Sequence, residues 1–306
     1  MLQMEKSSIT LREIEVFLAV VDAGSLSAAS QRLSQPVSTT SRFLARLEEK
    51  LQTTLLRRTT RRLDLTDEGC SFLKDARGII NSIESAQERV LLRQGQPSGP
   101  LRVDAATPFV LHTLIPLLAD YRKHYPLVDL TLTSNEDFVD LLESRVDLAL
   151  RIGEMKDSSL NSRLICRSRI RMLASPQYLL EHGTPSSAAD LRQHTLLGFT
   201  RDSINSWPLH NEDGETLYIE PDIAASSGEV LRQLSLSGHG IVCLADFMTV
   251  QDLASGNLVE VLAQQNTGDT RPIQAVYYRQ TALAARVSSF IDHLTQAIRK
   301  QAWAIT

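Results

Sequence analysis

The sequence predicts an α+β protein of several domains: a helical N-terminal region, a long linker helix and a C-terminal region of α/β type. Three observations lead to this prediction. Short helical patterns follow one another over residues 11–51, an apolar stripe runs through residues 72–90, and strands alternate with helices beyond residue 100. Such alternation is typical of parallel sheets with right-handed crossovers. A chain of 306 residues can bury more than one hydrophobic core.

The first three helices have the arrangement of a helix-turn-helix. Apolar residues of the first helix lie at positions 14, 17, 18 and 21, which is the spacing of one helical face, and Gly24 ends the helix. Ser25 caps a short second helix, and Pro36 suits the first turn of a third helix. In this motif, which we place at about 26–45, the second helix of the pair enters the major groove of DNA.

A hairpin and a long helix follow. Residues 53–66 are rich in Arg and Thr and predict a two-stranded wing, which completes a winged head at residues 1–66. Thr66 caps the long helix, whose first turn carries Asp67 and Glu68, where the helix dipole favours acidic residues. We assign residues 67–94 to a linker and dimerisation helix.

The apolar residues of the linker helix recur at alternating steps of four and three. They are Phe72, Ala76, Ile79, Ile83, Ala86 and Val90. This heptad seam predicts a dimer interface between two linker helices. A single helix buried in a core shows the same stripe, but the charged flanks and the run of helix breakers at 95–100 favour the dimer seam.

The C-terminal region begins after the hinge at 95–100. Strands are predicted at 101–105, 128–133, 146–152, 170–174, 222–225, 241–244, 258–262 and 273–278. Helices are predicted at 108–124, 137–144, from 175 onward, from Ser226 to Leu236 and at 282–299. The helix at Ser226 opens with a capping box that pairs Ser226 with Glu229.

Positive charge is concentrated in the head. The whole chain has 32 basic and 36 acidic residues and a formal net charge of −4. Residues 31–62 contain eight basic and two acidic residues, a local charge of +6, which leaves −10 for the rest. A local basic patch on an acidic protein can bind the phosphates of DNA, although a charge run is also compatible with a solvated face.

Residues 11–92 resemble the DNA-binding head of the LysR-type transcriptional regulators. The matching positions are Gly24-Ser25, Ala28-Ala29, Leu33, Ser41-Arg42, Leu47-Glu48, Arg58-Thr59-Thr60-Arg61, Leu65-Thr66 and Gly69. The resemblance continues through segments such as VDLALRIG, LASPQYLLEHGTP, GHGIVCL and LASGNLVEVL, and so covers nearly the whole chain. It identifies the chain as a regulator whose promoter binding is modulated by a small-molecule effector, with no other cofactor.

The resemblance also implies an architecture and an assembly. Residues 95–306 are expected to form two lobes like those of periplasmic solute-binding proteins, joined by two crossover strands, with the effector between them. The first lobe would contain about 100–164 and 273–306, and the second about 165–272. A homotetramer, built as a dimer of dimers in the bacterial cytoplasm, would bind and bend promoter DNA, with RNA polymerase as a further candidate partner.

Four positions depart from the family pattern. Pro36-Val37 stands where many members have Ser-Gln, and a Val cannot make the amide contact to a base that a Gln makes. Thr40 replaces an apolar core residue, and we expect its hydroxyl to bond back along the helix. Ala245 stands where Pro is common.

The candidate DNA-binding residues carry hydroxyl or guanidinium groups, with one apolar exception. They are Ser25, Ser27, Val37, Ser38, Thr39, Ser41, Arg42, Arg58 and Arg61. Those on the third helix would contact base edges, with Val37 against a thymine methyl and Ser41 on bases or backbone. Ser25 and Ser27 would bind phosphates. Arg58 and Arg61 would neutralise phosphates or enter the minor groove, while a structural bond within the wing is equally open for Arg58.

Most of the candidate effector-binding residues follow predicted strands, and ligands of open α/β sheets bind beyond the carboxyl ends of strands, near helix N-termini. They are Thr107, Pro108, Phe109, Ser134, Asn135, Arg151, Thr200, Ser226, Ser227 and Asp246. Helix capping is the competing interpretation for this set. Arg151 would pair either with an anionic effector or with a buried carboxylate.

Other classes of protein find little support. The sequence contains no G-x-S-x-G, Walker or H-E-x-x-H motif, and Gly238-x-Gly240 lacks the third glycine of a dinucleotide loop. Cys70, Cys166 and Cys243 have no metal or redox spacing. An α/β enzyme would need a catalytic cluster, and a solute-binding protein would need an export signal, which the N-terminal residues do not resemble. We therefore expect a cytoplasmic protein that is not an enzyme and has no metal site.

Overall fold

The computed structural model describes residues 8–58, 63–91, 96–136, 141, 144, 146–153, 160–201, 204–211, 213–278 and 285–305. The chain forms two compact units, the first ending at Leu91 and the second comprising nearly everything that follows. Within the described part of the chain, none of the helices combines the length and the apolar character that a membrane crossing requires.

The first unit is a winged helix-turn-helix head followed by a long helix. Its elements are α1 (Leu11–Ala23), α2 (Leu26–Arg32), α3 (Val37–Leu51), β1 (Leu56–Arg58), β2 (Leu63–Leu65) and α4 (Asp67–Leu91). The strands β1 and β2 pair in antiparallel fashion, as expected for the wing. Local caps define the helix ends: Gly24 adopts φ 65° after α1, and the Ser25 hydroxyl accepts the Ala28 N–H at the start of α2.

The head has its own hydrophobic core. The core side chains are Ile14, Val16, Phe17, Val20, Ala29, Leu44, Leu47, Leu55, Leu56, Leu73 and Ala76. The hairpin and α4 come so close at Gly69 that a Cβ there would lie 2.1 Å from the Leu55 carbonyl oxygen. Only glycine fits at this contact, because no L side chain tolerates such an approach.

The predicted seam of α4 is partly wrong. Ala76 is completely buried in the head core, and the Phe72 ring packs edge-to-face on Phe17 with centroids 5.3 Å apart. The first turns of α4 therefore use their apolar stripe inside their own chain, which a heptad pattern does not distinguish from a dimer seam. Further along, Ile79 is 42% exposed, Ile83 is half-buried and Ala86 is exposed. The side chain of Val90 lies outside the described residues.

The second unit is built on one ten-stranded mixed sheet. Its strands are β3 (Gly99–Ala105), β4 (Val128–Ser134), β5 (Leu148–Ile152), β6 (Leu160–Ala174), β7 (Leu196–Phe199), β10 (Ile223–Ala225), β11 (Ile241–Ala245), β12 (Val259–Glu260), β13 (Thr270–Tyr278) and β14 (Ala304–Ile305). A separate hairpin pairs β8 (Ser206–His210) with β9 (Thr216–Tyr218).

Helices cover this sheet. They are α5 (Thr107–Phe109), which continues through a π-helical segment (Val110–Leu114) into α6 (Ile115–His124), then α7 (Pro176–His182), α8 (Gly228–Leu236), α9 (Asp246–Ser255) and α10 (Ala285–Ile298). The helix predicted at 137–144 falls almost entirely outside the described residues. The main core runs continuously beneath these elements and includes Leu101, Phe109, Leu150, Ile273 and Ile291.

Two parallel groups of strands form the two lobes. In the first lobe β3 pairs in parallel with β4 and β5, and in the second β7 pairs in parallel with β10 and β11. The long strands β6 and β13 connect the groups, and each runs antiparallel to its neighbours. The predicted parallel pairing is therefore found within each lobe, whereas the pairing at the centre is antiparallel, where these two crossover strands lie side by side.

Candidate nucleic-acid interface and effector cleft

The helix α3 separates an apolar inner face from a polar outer face. Leu44 and Leu47 are buried in the head core, whereas Ser38 and Arg42 are exposed and Val37 is 45% exposed. The predicted residues Thr39 and Ser41 are half-buried. The outer face thus presents a hydroxyl, a guanidinium group and one apolar side chain, which are groups that can contact base edges in a major groove.

A buried hydroxyl fixes the angle between α2 and α3. Thr40 Oγ1 lies 2.8 Å from Ser30 Oγ and 2.9 Å from Gln35 Nε2, both of which donate to it. Its expected back-bond to the Pro36 carbonyl is present but longer, at 3.5 Å. Thr40 Oγ1 therefore connects α2, the turn and α3 through hydrogen bonds to a single atom. The sequence prediction missed these bonds because it considered only bonds along the helix.

The start of α2 is exposed and capped by its own serine. Ser25 Oγ accepts the Ala28 N–H at 3.2 Å, and both Ser25 and Ser27 are exposed. A hydroxyl that accepts one hydrogen bond still has a hydrogen to donate. Capping by Ser25 is thus compatible with a bond from the same hydroxyl to a DNA phosphate.

The wing is anchored to α3 by a carboxylate. Glu48 Oε1 accepts the N–H groups of Leu55 at 2.8 Å and Leu56 at 3.2 Å. Of the two predicted wing residues, Arg58 pairs its backbone with Leu63, but its side chain lies outside the described residues, as does Arg61. The structure leaves both alternatives for Arg58 open.

Not every basic residue of the head faces outward. Lys50 Nζ lies 2.8 Å from each oxygen of the buried Glu13 carboxylate, an ion pair that joins α3 to α1. Burial raises the pKa of Glu13, but hydrogen bonds from Lys50 and Thr10 outweigh it, so the pKa is lower than its ordinary value. The local charge of +6 therefore overstates the charge available to DNA.

The predicted cleft residues lie at the carboxyl ends of parallel strands in both lobes. In the first lobe the Asn135 N–H donates to the Ala105 carbonyl at 3.2 Å, which places Asn135 beside the start of α5. In the second lobe the Thr200 N–H donates to the Ala225 carbonyl at 3.1 Å, which places Thr200 beside Ser226. Ser134, Asn135, Thr200 and Ser226 are exposed, and Thr107 is half-buried.

The two lobes meet where α5 approaches α8. A Cβ added at Gly228 would lie 3.6 Å from Pro108 Cγ and 3.4 Å from Met248 Cε. Pro108 is buried at this contact. The predicted residue Pro108 therefore forms part of the contact between the lobes, close to the strand ends of each.

Three predicted effector residues face inward instead. Phe109 is completely buried and packs edge-to-face on Phe247, with ring centroids 5.4 Å apart. Asp246 accepts from Arg171 at 2.6 Å and 3.1 Å in a two-pronged ion pair. Arg151 Nη1 lies 2.8 Å from Asp104 Oδ2, a fully buried carboxylate. For Arg151 the structure thus supports the pairing with a carboxylate of its own chain.

The cap of α8 is shifted by one residue from its predicted position. Ser227, not Ser226, accepts the Glu229 N–H, at 3.3 Å, and it is nearly buried. Ser227 is therefore occupied as a helix cap, whereas Ser226 remains on the surface. The capping-box pattern does not distinguish two adjacent serines.

Sequence reasoning missed a cavity of about 110 Å³ that is lined by residues of both lobes. His112 and Thr113 line it from the first lobe, Phe247 and Gln251 from the second, and Trp303 closes it from the C-terminal segment. Thr113 Oγ1 is buried and has no hydrogen-bond partner among the described residues. No local motif could indicate this site, because its walls are far apart in the chain.

A chain of hydrogen bonds and ion pairs crosses between the lobes next to the cavity. His112 Nε2 lies 2.6 Å from Glu229 Oε2, and Glu229 Oε1 lies 2.9 Å from Arg232 Nη1. Arg232 Nε in turn lies 2.6 Å from Asp252 Oδ2. Burial raises the pKa of Glu229, but hydrogen bonds from Gln233 and His112 and the charge of Arg232 bring it below its ordinary value. A carboxylate thus links the two lobes at neutral pH.

Comparison with known proteins matches both units. The family model described as bacterial regulatory helix-turn-helix protein, lysR family, matches residues 11–70, and the LysR substrate binding domain matches residues 94–299. The HTH-type transcriptional regulator CrgA of Neisseria meningitidis is 45% identical over 287 residues, 94% of this chain and 96% of that protein. The HTH-type transcriptional activator AaeR of Escherichia coli is 28% identical over 93% of each chain.

Solved structures of LysR-type regulators also match this chain. A structure of CrgA superposes with a TM-score of 0.64 at 44% identity, covering 94% of this chain and 98% of that one. The full-length structure of AphB, a virulence activator of Vibrio cholerae, superposes with a TM-score of 0.58 at 30% identity, covering 94% of this chain and 99% of that one.

Proposed function

The chain belongs to the LysR-type family of transcriptional regulators, and we propose that it contacts its operator through the exposed face of α3 and responds to a small molecule held between its two lobes. The two family models account for a helix-turn-helix DNA-binding domain and a substrate-binding type of domain. The relatives at 45% and 28% identity are transcriptional regulators. The residues that perform each task are proposed below from their positions in the structure.

The exposed face of α3 is the observation on which the DNA-binding proposal depends. Arg42 is exposed and, within the part of the chain that the structure describes, has no ion-pair partner. We assign it to a base edge, together with Ser38 and Thr39, and Ser41 to a base or the backbone. Val37 would contact a thymine methyl. At the start of α2, Ser25 and Ser27 would bind phosphates through hydroxyl and N–H groups.

Substitution of Arg42 tests this assignment. Loss of one good base contact costs about 1–3 kcal/mol, so we expect Arg42→Ala to weaken operator binding by roughly 5- to 150-fold and to relax the preference at one base pair. Arg192→Ala, an exposed arginine of the second unit, is the control and should bind like the wild type. The operator would first be found by genome-wide mapping of binding sites. An Arg42→Ala protein with unchanged affinity and unchanged base preference would remove Arg42 from the interface.

The effector is proposed to bind at the strand ends that the two lobes bring together. The supporting observations are the exposed side chains of Thr200 and Ser226, the exposed residue Asn135, whose Nδ2 donates to Asp104, and the nearby cavity lined by Thr113. The buried hydroxyl of Thr113 has no hydrogen-bond partner among the described residues. A buried hydroxyl without a partner costs free energy, which a hydrogen bond to a ligand would recover. Such a ligand would contact both lobes and so favour one arrangement of them.

The effector site is tested in two steps. A thermal-shift screen of small polar molecules would identify a ligand, and isothermal titration would then compare variants. Thr107→Ala, Ser226→Ala and Thr113→Val should each weaken binding at least several-fold, because each removes a hydroxyl of the proposed site. Ser237→Ala, at the exposed end of α8, is the control. Equal affinity in all four variants would exclude this cleft.

The assembly is proposed from the exposed part of α4. Ile79 and Ala86 lie on its surface beyond the head core and would form a dimer seam with a second linker helix, with Ile83 beside them. Two such dimers would bind and bend promoter DNA in the bacterial cytoplasm, where the regulator would meet RNA polymerase. Sedimentation of an Ile79→Asp variant should show a smaller assembly than the wild type, whereas an unchanged mass would refute the seam.

A further inference from the structure

Three side chains of metal-ligand type converge between α6 and α10 in the first lobe. Asp120 and His124 lie one turn apart on α6, and His293 lies on α10. One potential ligand atom from each residue lies within 4.8 Å of the other two. His124 Nδ1 is 3.7 Å from Asp120 Oδ1, and His293 Nε2 is 3.7 Å from Asp120 Oδ2. None of the three residues is among those assigned above to DNA or effector.

The ring of His293 is held as a metal-binding imidazole is held. Its hydrogen bond to the backbone of Leu117 uses one ring nitrogen, whereas Nε2 is buried and has no hydrogen-bond partner among the described residues. Nδ1 therefore donates to the Leu117 carbonyl, and Nε2 carries a lone pair directed at the cluster. Histidine ligands of metals typically donate their other N–H to a carbonyl in this way, which fixes the tautomer and the ring orientation.

His124, at the surface, also forms a hydrogen bond to a backbone carbonyl through one ring nitrogen. Its Nδ1 lies 2.9 Å from the Asp120 carbonyl oxygen, one turn earlier on α6, so its other ring nitrogen can carry a lone pair. The rings of His124 and His293 have centroids 5.9 Å apart. Tyr121 packs edge-on against His293 at 5.3 Å and restricts its rotation. Two imidazoles and one carboxylate thus face each other across the helix pair.

We propose that Asp120, His124 and His293 bind one divalent first-row transition-metal ion, with Zn²⁺ as the representative ion and water completing its coordination. Imidazole and carboxylate ligands suit Zn²⁺ and its neighbours, whereas Mg²⁺ and Ca²⁺ prefer oxygen ligands alone. Metal–ligand bonds of about 2.0–2.2 Å hold tetrahedral ligands roughly 3.3 Å apart. The 3.7 Å separation of His293 Nε2 from Asp120 Oδ2 requires only a small rotation. The side chains of Asp120 and His124 are mostly exposed, so His124 is able to turn the ring nitrogen that is not bonded to the Asp120 carbonyl toward the ion.

Bound at this position, the ion would fasten α6 to α10. These helices come from opposite ends of the second unit, residues 115–124 and 285–298. The ion would therefore stabilise the folded first lobe in proportion to its concentration, because a ligand that binds only the native state raises its stability. The expectation of no metal site, drawn from the lack of motif spacing in the sequence, does not cover ligands contributed by distant helices.

Isothermal titration of untagged, chelator-treated full-length protein with ZnCl₂ tests the proposal. We expect one Zn²⁺ per chain for the wild type and at least a tenfold higher Kd for His124→Gln and His293→Gln. His239→Gln replaces an exposed histidine far along the chain and should leave the Kd unchanged. MgCl₂ should give no binding heat. Because His124 is exposed, His124→Gln should melt like the metal-free wild type and should lose the rise in melting temperature that Zn²⁺ causes.

Two results would overturn the proposal. One is the absence of Zn²⁺ binding at micromolar concentrations. The other is binding that His124→Gln and His293→Gln leave unchanged, which would place the ion on other groups. The assay uses the metal alone, so its failure would not affect the proposed contacts with DNA or effector.

Discussion

Replacement of Arg151 by methionine tests whether its guanidinium group is a structural partner or a ligand-binding group. Arg151 Nη1 lies 2.8 Å from Asp104 Oδ2, and Asp104 is completely buried. The other carboxylate oxygen accepts hydrogen bonds from Thr133 at 2.7 Å and from Asn135 at 2.5 Å. Methionine keeps most of the side-chain volume but removes the positive charge, so the carboxylate would stay in the interior without this counter-charge.

The expected loss follows from the burial of the pair. Removal of one partner of a buried ion pair costs about 3–5 kcal/mol. Since Thr133 and Asn135 continue to donate to Asp104 in the variant, we expect the lower end of that range, about 3 kcal/mol. With a urea dependence of about 2 kcal/mol per M, the unfolding midpoint would fall by about 1.5 M.

Tryptophan fluorescence during urea unfolding measures this effect. Trp207 and Trp303 are the two tryptophans of the chain, and both belong to the second unit, so the signal reports the unit that contains the pair. The double variant Asp104→Asn/Arg151→Met should recover at least half of the loss, because a neutral amide needs no counter-charge.

A surface ion pair provides the matched control. Arg163 and Asp292 form a pair at 2.8 Å in which both side chains are about half exposed, so Arg163→Met should cost less than about 1 kcal/mol. If Arg151→Met unfolded at the wild-type urea concentration but no longer responded to the effector, the structural interpretation would be refuted, and Arg151 would be a ligand residue.

Three further substitutions test the packing around the two sites. Gly69→Ala forces a Cβ to within 2.1 Å of the Leu55 carbonyl, so we expect a loss of about 2 kcal/mol or more, seen as earlier melting of the helical circular dichroism signal. Thr40→Val removes the acceptor of two hydrogen bonds and should cost about 1–3 kcal/mol in the same assay; wild-type melting would refute the role of its hydroxyl. Burial raises the pKa of Glu229 and its hydrogen bonds lower it overall, so its carboxylate stabilises the fold above pH 4.5 and loses this effect as the pH falls through the lowered pKa. Glu229→Gln should therefore destabilise the second unit at pH 7, with a difference from the wild type that shrinks below about pH 4.5; a difference constant with pH would contradict this sign.

The fold was predictable from the sequence where local signals define it. Gly24 and Ser25 end one helix and begin the next through their own backbone and side-chain bonds, so a short stretch of sequence contains the information. The strand β6 was predicted only over its last five residues, 170–174. Its first part carries many exposed polar side chains, and its partner β13 lies about 100 residues away, so its extended conformation depends on a pairing that no local pattern shows.

For the candidate effector residues, the sequence indicated some positions at strand ends but not the directions of the side chains. The sequence correctly placed Ser226 after a strand, because the strand end follows from an apolar run, but it predicted no strand at 196–199, after which Thr200 lies. It did not show that Phe109 turns into the core or that Asp246 is bound by Arg171, because these outcomes depend on packing partners from other elements. The cavity lined by Thr113 was not predictable for the same reason, because helices far apart in the chain form its walls.

The charge counted along the sequence of the head also differs from the charge that its surface exposes. In the sequence, Lys50 and Arg42 contribute equally to the local charge of residues 31–62. In the fold Lys50 neutralises the buried Glu13. Only side-chain cations that neutralise DNA phosphates release the counterions condensed on the DNA and so contribute this free energy to binding. Lys50 is already paired, so it stabilises the scaffold that holds α3, while Arg42 remains on the exposed face. The fold thus divides one basic segment into groups that shape the interface and groups that can contact DNA.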